Sequence, residues 1–240
     1  MTQQMTQPLH SASPEWLEKV CALSSDAHPR MMLRAPEGAS VRSAAVLMLF
    51  GGSRDANADA PGGLPDDAHV LLTQRAATMR QHKSQVAFPG GAADPGDTGP
   101  IDTALREARE ETGLDPSGVR PLTLLPEIYV PVSGFEVTPV LAYWETPSDV
   151  SVVDPTEAAR VANVAVHDLI KPENRFMLRH PDIPYDSPAF VTSGMLIWGF
   201  TAGLLAGMLS VSGWEHPWDK NDVRDMEKTL NQFGMEVRRR

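Results

Sequence analysis

The chain has 240 residues, 42% hydrophobic and 22% charged, with a formal net charge of −10 and an isoelectric point near 5.1. Those values suit one globular domain with a sizeable core. The acidic balance argues against broad binding to nucleic acid or to an anionic membrane, because both need a basic surface. A single cysteine, Cys21, leaves no intrachain disulfide and no CxxC metal knuckle. The N-terminal stretch lacks the basic start and apolar run of a secretory signal, so the expected compartment is the cytoplasm.

Residues 1–12 are polar and expected to be disordered. Ser13-Pro14 reads as a helix start, a side-chain cap followed by proline. Trp16, Val20 and Leu23 then recur at helical spacing beside Leu17 and Cys21. Pro29–Gly38 is loop-like, and the apolar run Ala44–Phe50 predicts a central strand. Gly51–Asp67, dense in Gly, Pro, Asp and Ala, predicts a long mobile loop, read as a tolerated insertion in preference to a substrate lid. His69–Thr73 is the next strand. Gln74–Ser84 is polar and carries Arg75, Arg80, His82 and Lys83. Gln85–Phe88 is a short strand that ends at Pro89-Gly90-Gly91.

Ile101–Thr112 predicts a helix stopped by Gly113, a residue suited to the left-handed cap. Leu122–Leu125 and Phe135–Tyr143 read as strands joined by the loop Pro126–Gly134. Arg160–Val166 reads as another strand, followed by a helical turn at His167–Ile170. Phe176–Arg179 and Ala189–Thr192 read as a hairpin. The uncharged run Gly194–Val211 approaches the length of a membrane span but lacks flanking Lys/Arg anchors. It is read as a buried helix, Met195–Leu209, whose Gly199, Gly203 and Gly207 would allow close packing on a sheet. The same segment could serve a homodimer interface. Asp219–Phe233 predicts an exposed amphipathic helix within a C-terminal extension, 214–240. The expectation is one domain over 1–240, an α/β sandwich with a mixed sheet between helices.

Projected at about 100° per residue, Ile101, Ala104, Leu105, Ala108 and Thr112 form a core-facing stripe. Glu107 and Glu111 share one flank, Glu110 points away from the core, and Arg106 and Arg109 fall on the opposite flank. Like charges at i, i+4 repel by a few tenths of a kcal/mol. A hard divalent cation such as Mg²⁺ or Mn²⁺ would turn that repulsion into a site. Taken alone, the triplet reads first as a solvated helix face balanced by Arg106 and Arg109, in preference to a cation site.

In its setting the helix resembles the Nudix box. Arg106-Glu107-Ala108-Arg109-Glu110-Glu111-Thr112-Gly113-Leu114 matches the second half of that motif. In the first half, Thr98 stands where the family places a glutamate eight positions before the arginine. Asp97 supplies an acid after five intervening residues from Gly91, with one extra residue before the helix. Upstream, Leu71-Leu72-Thr73-Gln74-Arg75, Arg80, His82 and Gln85-Val86-Ala87-Phe88-Pro89-Gly90-Gly91 are similar to the coenzyme A pyrophosphatase branch of the Nudix hydrolases. Trp198-Gly199-Phe200-Thr201-Ala202 is similar to a segment of the same branch. Ala76 and Ser84 depart from the branch pattern, which has Ser and Gly there, and Ser84 would sit in a turn that needs positive φ.

The resemblance implies a Nudix-type α/β/α sandwich and metal-dependent hydrolysis of the pyrophosphate of coenzyme A or a derivative. The products would be 3′,5′-ADP and (acyl-)4′-phosphopantetheine. It implies a small nucleotide partner and neither nucleic acid nor membrane. Glu107 and Glu111 would be the principal ligands to Mg²⁺ or Mn²⁺, Glu110 a weaker one, and Arg106 would orient a ligand carboxylate. Glu157, ahead of a late strand, would be a base or further ligand. Arg75, Arg80, Gln85, Phe88, Gly90 and Gly91 would contact substrate. The alternatives are a Nudix hydrolase for another nucleoside diphosphate derivative, such as ADP-ribose, and a non-catalytic binding module.

Overall fold

The computed structural model describes residues 13–22, 34–79, 83–131, 133–181 and 184–235. In chain order the elements are α1 (Glu15–Cys21), β1 (Arg42–Gly51), β2 (His69–Arg75), β3 (Val86–Ala87), β4 (Gly90–Ala92), α2 (Pro100–Thr112), β5 (Val119–Leu124), β6 (Ile128–Val130) and β7 (Phe135–Trp144). There follow β8 (Ala158–Ala165), α3 (Val166–Ile170), β9 (Arg175–Arg179), β10 (Asp186–Thr192), β11 (Met195–Ile197), α4 (Gly199–Ser212), β12 (Val223–Asp225) and α5 (Met226–Gln232).

The first eight strands form one mixed sheet. β1 pairs parallel with β7 along its whole length and antiparallel with β2 only at Phe50 and Gly51. Beyond that point β1 and β2 diverge, and the segment Val86–Ala92 fills the fork. β3 pairs with β2, β4 pairs with β1, and the Leu47 N–H donates to the Pro89 carbonyl between them at 2.8 Å.

Alternate residues of the central strands face opposite layers, as strand geometry requires. Ala45, Leu47 and Leu49 of β1, Leu71 of β2, and Val140, Ala142 and Trp144 of β7 pack with Ala104 and Ala108 of α2. Met48, Phe50, Val70, Leu72, Leu141 and Tyr143 face the other way, onto Trp16, Leu17 and Val20 of α1 and Leu204, Leu205 and Met208 of α4. The result is an α/β/α sandwich. A second sheet, ordered β11-β10-β9-β12, stands beside α4 and buries Phe176, Leu178, Met226 and Leu230 in a third cluster.

Several expectations are corrected. α1 starts at Glu15 with Pro14 at the cap and no side-chain cap bond, so Ser13 does not cap it. Cys21 is fully buried, and burial pushes its thiol up to about 11. The Pro126–Gly134 segment contains β6. The run Gly194–Val211 is not one helix. Ser193 (φ 52°) and Gly194 (φ 73°) take the paired left-handed conformations of a tight hairpin turn, and Met195–Ile197 returns as β11. Only Gly199–Ser212 is helical, and among the described residues no helix is long and apolar enough to cross a membrane. A Cβ on Gly203 would meet nothing within 4 Å, so that glycine does not set the packing of α4. The segment Asp219–Phe233 is not one exposed helix. It supplies β12 and the short α5, whose Met226 and Leu230 are buried.

The loop predicted at Gly51–Asp67 joins β1 to β2 as expected. It is densely anchored: Leu64 is buried, the Trp16 indole donates to the Ser53 carbonyl at 3.1 Å, and the Tyr143 hydroxyl donates to the Gly52 carbonyl at 2.9 Å.

Candidate active site

The site is built where the fork meets α2. Thr103, Ala104, Ala108 and Thr112 turn into the core, which leaves Glu107 and Glu111 along the edge of the helix that faces β4. The helix ends at Gly113 in the left-handed conformation (φ 72°), and the Gly113 N–H donates to the Arg109 carbonyl at 2.9 Å. The Gly90 N–H donates to Glu111 Oε2 at 3.4 Å. A Cβ on Gly91 would lie 2.5 Å from the Glu107 carboxyl carbon, and one on Gly90 would lie 2.7 Å from the Val46 Cα. Gly91 therefore lets β4 lie against the Glu107 carboxylate, and Gly90 lets β4 lie against β1.

Arg106 organises the loop side. Its Nε and Nη2 each donate to Asp97 at 3.0 Å as a bidentate pair, and Nη2 also donates to the Ala92 carbonyl at 2.9 Å. Nη1 donates to Glu107 Oε1 at 3.0 Å and Glu110 Oε2 at 3.2 Å. The projection put Arg106 on the far flank from the glutamates; its long side chain instead folds back across them. Asp97 is fixed further by the Asp94 N–H at 2.9 Å and the Thr103 hydroxyl at 2.8 Å. The Arg106 guanidinium holds the Asp97 carboxyl well below the usual range, and Asp97 in turn raises Arg106. The extra residue before the helix is accommodated because Thr98 donates to Asp102, closing the first turn while Asp97 points at Arg106.

The other side is less compensated. Burial first, and then the Glu107 charge, push the Glu111 carboxyl up to about 7, with the Gly90 N–H and Arg75 acting to lower it. Burial also raises Glu107, although Arg106 opposes this. Glu111 and Glu110 line a pocket with Thr73, Arg75, Asp154, Glu157 and Ala158. Arg75 comes from the end of β2, and its buried Nε has no hydrogen-bond partner among the described residues. Glu157 comes from the turn before β8, which pairs with β2.

A model of the NUDIX domain matches residues 56–182, just over half of the chain. The chain belongs to the NUDIX domain family. The uncharacterized Nudix hydrolase NudL of Escherichia fergusonii is 36% identical over 143 residues, covering 57% of this chain and 71% of that protein. NudL of Pectobacterium atrosepticum is 56% identical over 72 residues, 30% of this chain, and there the match spans only 37% of the relative's length. Among solved structures, the M. smegmatis Nudix hydrolase RenU aligns with a TM-score of 0.47 at 21% identity, over 75% of this chain and 90% of RenU.

Of the residues singled out in the Nudix chain, the structure brings Arg75, Glu110, Glu111 and Glu157 to one pocket and sets Glu107, Gly90 and Gly91 beside it. Arg106 touches Glu107 and Glu110. Gln85 contributes its carbonyl to the Arg75 N–H at 2.9 Å and is not part of the pocket wall. Phe88 is not brought to the pocket: it is 2% exposed in the core on the α1/α4 face. Arg80 and His82 lie outside the described residues. Thr73 and Asp154 line the pocket and were not singled out. Thr73 belongs to the Leu71–Arg75 motif, and the Asp154-Pro155-Thr156 turn signal directly precedes Glu157.

Among the described residues no three His, Cys, Asp or Glu side chains are gathered as a ready metal cage. The donor set nevertheless fits a hard divalent cation. It is all oxygen, both of its buried carboxylates are raised by desolvation, and Gly91 leaves the room beside Glu107 that a Cβ would fill. Glu107 and Glu111 are the residues that could hold it. Glu110 is mostly exposed and engaged by Arg106.

Proposed function

We propose that this Nudix protein hydrolyses the pyrophosphate of coenzyme A or a derivative, yielding 3′,5′-ADP and (acyl-)4′-phosphopantetheine. The observation that carries the reading is the placement of Arg75. It belongs to the segment that resembles the coenzyme A branch, and it lines the same pocket as Glu111 and Glu157 with a buried Nε that has no partner among the described residues.

Glu107 and Glu111 would hold the cation, Mg²⁺ or Mn²⁺, which would supply charge neutralisation to the pyrophosphate. Asp97 locks Arg106, and Arg106 orients the Glu107 carboxylate. The side-chain-free Gly90-Gly91 backbone packs between β1 and the Glu107 carboxylate and so brings β4 up to these acids. Arg75 pairs with a phosphate oxygen from the opposite wall. Glu157 takes the proton of the attacking water as its oxygen bonds to phosphorus, and the bond to the bridging oxygen breaks with its electrons leaving on the second phosphate.

The test is a product assay with coenzyme A, acyl-coenzyme A and ADP-ribose side by side under Mg²⁺ and Mn²⁺. Release of 3′,5′-ADP, with coenzyme A species the fastest, is expected. Much faster cleavage of ADP-ribose overturns the substrate assignment. Glu107→Gln is expected to abolish metal-dependent turnover; unchanged turnover would overturn the assignment of the site, and no turnover of any of these substrates by the parent would favour a binding module.

A further inference from the structure

Glu157 stands on a turn built around one other residue. Asp154 Oδ1 accepts the Thr156 N–H at 2.8 Å and the Thr156 hydroxyl at 2.7 Å. The Asp154 carbonyl accepts the N–H groups of Glu157 at 3.1 Å and Ala158 at 3.0 Å. Side chain and main chain of a single residue thus close the turn twice, the local ring that aspartate forms better than other residues. The Glu157 carbonyl accepts the Ala76 N–H at 2.8 Å, which ties the turn to the residue after Arg75. Just beyond, the register between β2 and β8 shifts. Gln74 faces Arg160 while Arg75 faces Ala158, so Ala159 is the extra residue of a bulge. A bulge next to a site re-aims the side chains around it. The Glu157 backbone is therefore fixed by the Asp154 turn, by Ala76 and by the bulge.

We propose that Asp154 is a positioning residue. It holds Glu157 in the pocket facing Glu111 by closing the turn, and its own charge does not act on substrate or cation. Both of its side-chain bonds go to Thr156, which keeps the Asp154 carboxyl below the usual aspartate range and so an acceptor at neutral pH. The inference rests on the reading of Glu157 as the proton acceptor in the proposed hydrolysis.

The experiment compares full-length Asp154→Ala, Asp154→Asn and Glu157→Gln. Misplacing a reacting group by an ångström costs up to about 100-fold in rate, so Asp154→Ala is expected to lower kcat by about 10- to 100-fold with KM little changed. Asn keeps the Oδ1 acceptor without the charge and is expected to recover most of that loss. If Asn is as damaging as Ala, the carboxylate charge acts directly and the proposal fails. It also fails if Asp154→Ala slows turnover while Glu157→Gln does not. Hydrogen exchange over residues 153–160 needs no substrate and separates the two readings. Faster exchange in Asp154→Ala but not in Asp154→Asn supports the turn assignment even where no tested pyrophosphate is cleaved. Unchanged exchange in Asp154→Ala overturns it whatever the kinetics.

Discussion

The two sides of α2 hold acids of opposite character. On the loop side, Asp97 is saturated: two bonds from Arg106, one from Thr103 and one from the Asp94 N–H drive its carboxyl down. On the pocket side, Glu111 has one long bond from the Gly90 N–H, and burial drives it up to about 7. Residues of nearly the same chemistry thus divide into a structural acid and an under-compensated one. A compensated carboxylate holds the loop, and an under-compensated one is available to a cation.

The sharpest break in that contrast is Glu111→Gln. Losing a cation ligand forfeits several kcal/mol of charge stabilisation at the reacting phosphate, so steady-state turnover is expected to drop about 1,000-fold. The same variant, after chelator treatment, is expected to melt no lower than the parent, because it removes a charge that the fold disfavours.

The second contrast is in pH. Glu111 has a folded pKa above its ordinary value of 4.5, so its contribution to stability is full below about pH 4.5 and is lost as pH rises through about 7. In chelator-treated protein this is worth at most about 3 kcal/mol between those limits. Asp97 has the opposite sign: its contribution is present above the ordinary aspartate range and is lost only as pH falls through its lowered folded value. Denaturant melts from pH 5 to 8 should therefore show a decline toward high pH that Glu111→Gln abolishes and Asp97→Asn does not. A decline that survives Glu111→Gln would place the buried charge elsewhere.

A smaller effect is expected from Asp97→Ala. Loss of a residue that fixes the arginine orienting a ligand carboxylate typically costs about 10-fold in activity or metal affinity, measured here by titrating Mn²⁺ against turnover. The smallest concerns Ser84, whose φ of 56° is the left-handed conformation anticipated for the position where the branch carries glycine. Ser84→Gly is expected to stabilise the fold by about 1 kcal/mol in a chemical melt.

Much of this site was legible because helix periodicity converts spacing into direction. Glu107 and Glu111 at i, i+4 had to share an edge, and the buried Ala104 and Ala108 stripe fixed which edge. The partner of Arg106 was not legible in that way. Asp97 lies in a loop, where spacing carries no direction, so only its bidentate bonds establish its role. In the second sheet the β9–β10 hairpin was legible, but β11 was hidden for another reason. An uncharged run is compatible with a helix or a buried strand, and the paired left-handed residues Ser193 and Gly194, which turn the start of the run back as β11, are not marked by hydrophobicity. Phe88 was misdirecting because it sits inside the motif: strand alternation turns it to the core while its neighbours build the fork.

The segment Val86–Ala92 carries a consequence for how such a chain can change over generations. One end is stitched to β2, whose last residue is Arg75, and the other to β1 beneath Glu107. Adding or removing one residue there would invert the facing of everything beyond it, so its length is effectively frozen. Diversification is left to the segments that flank it: the long β1–β2 connection can absorb insertions, and the polar stretch after Arg75 can trade side chains. A lineage of such proteins could acquire new ligands by editing around this staple while inheriting the staple itself intact.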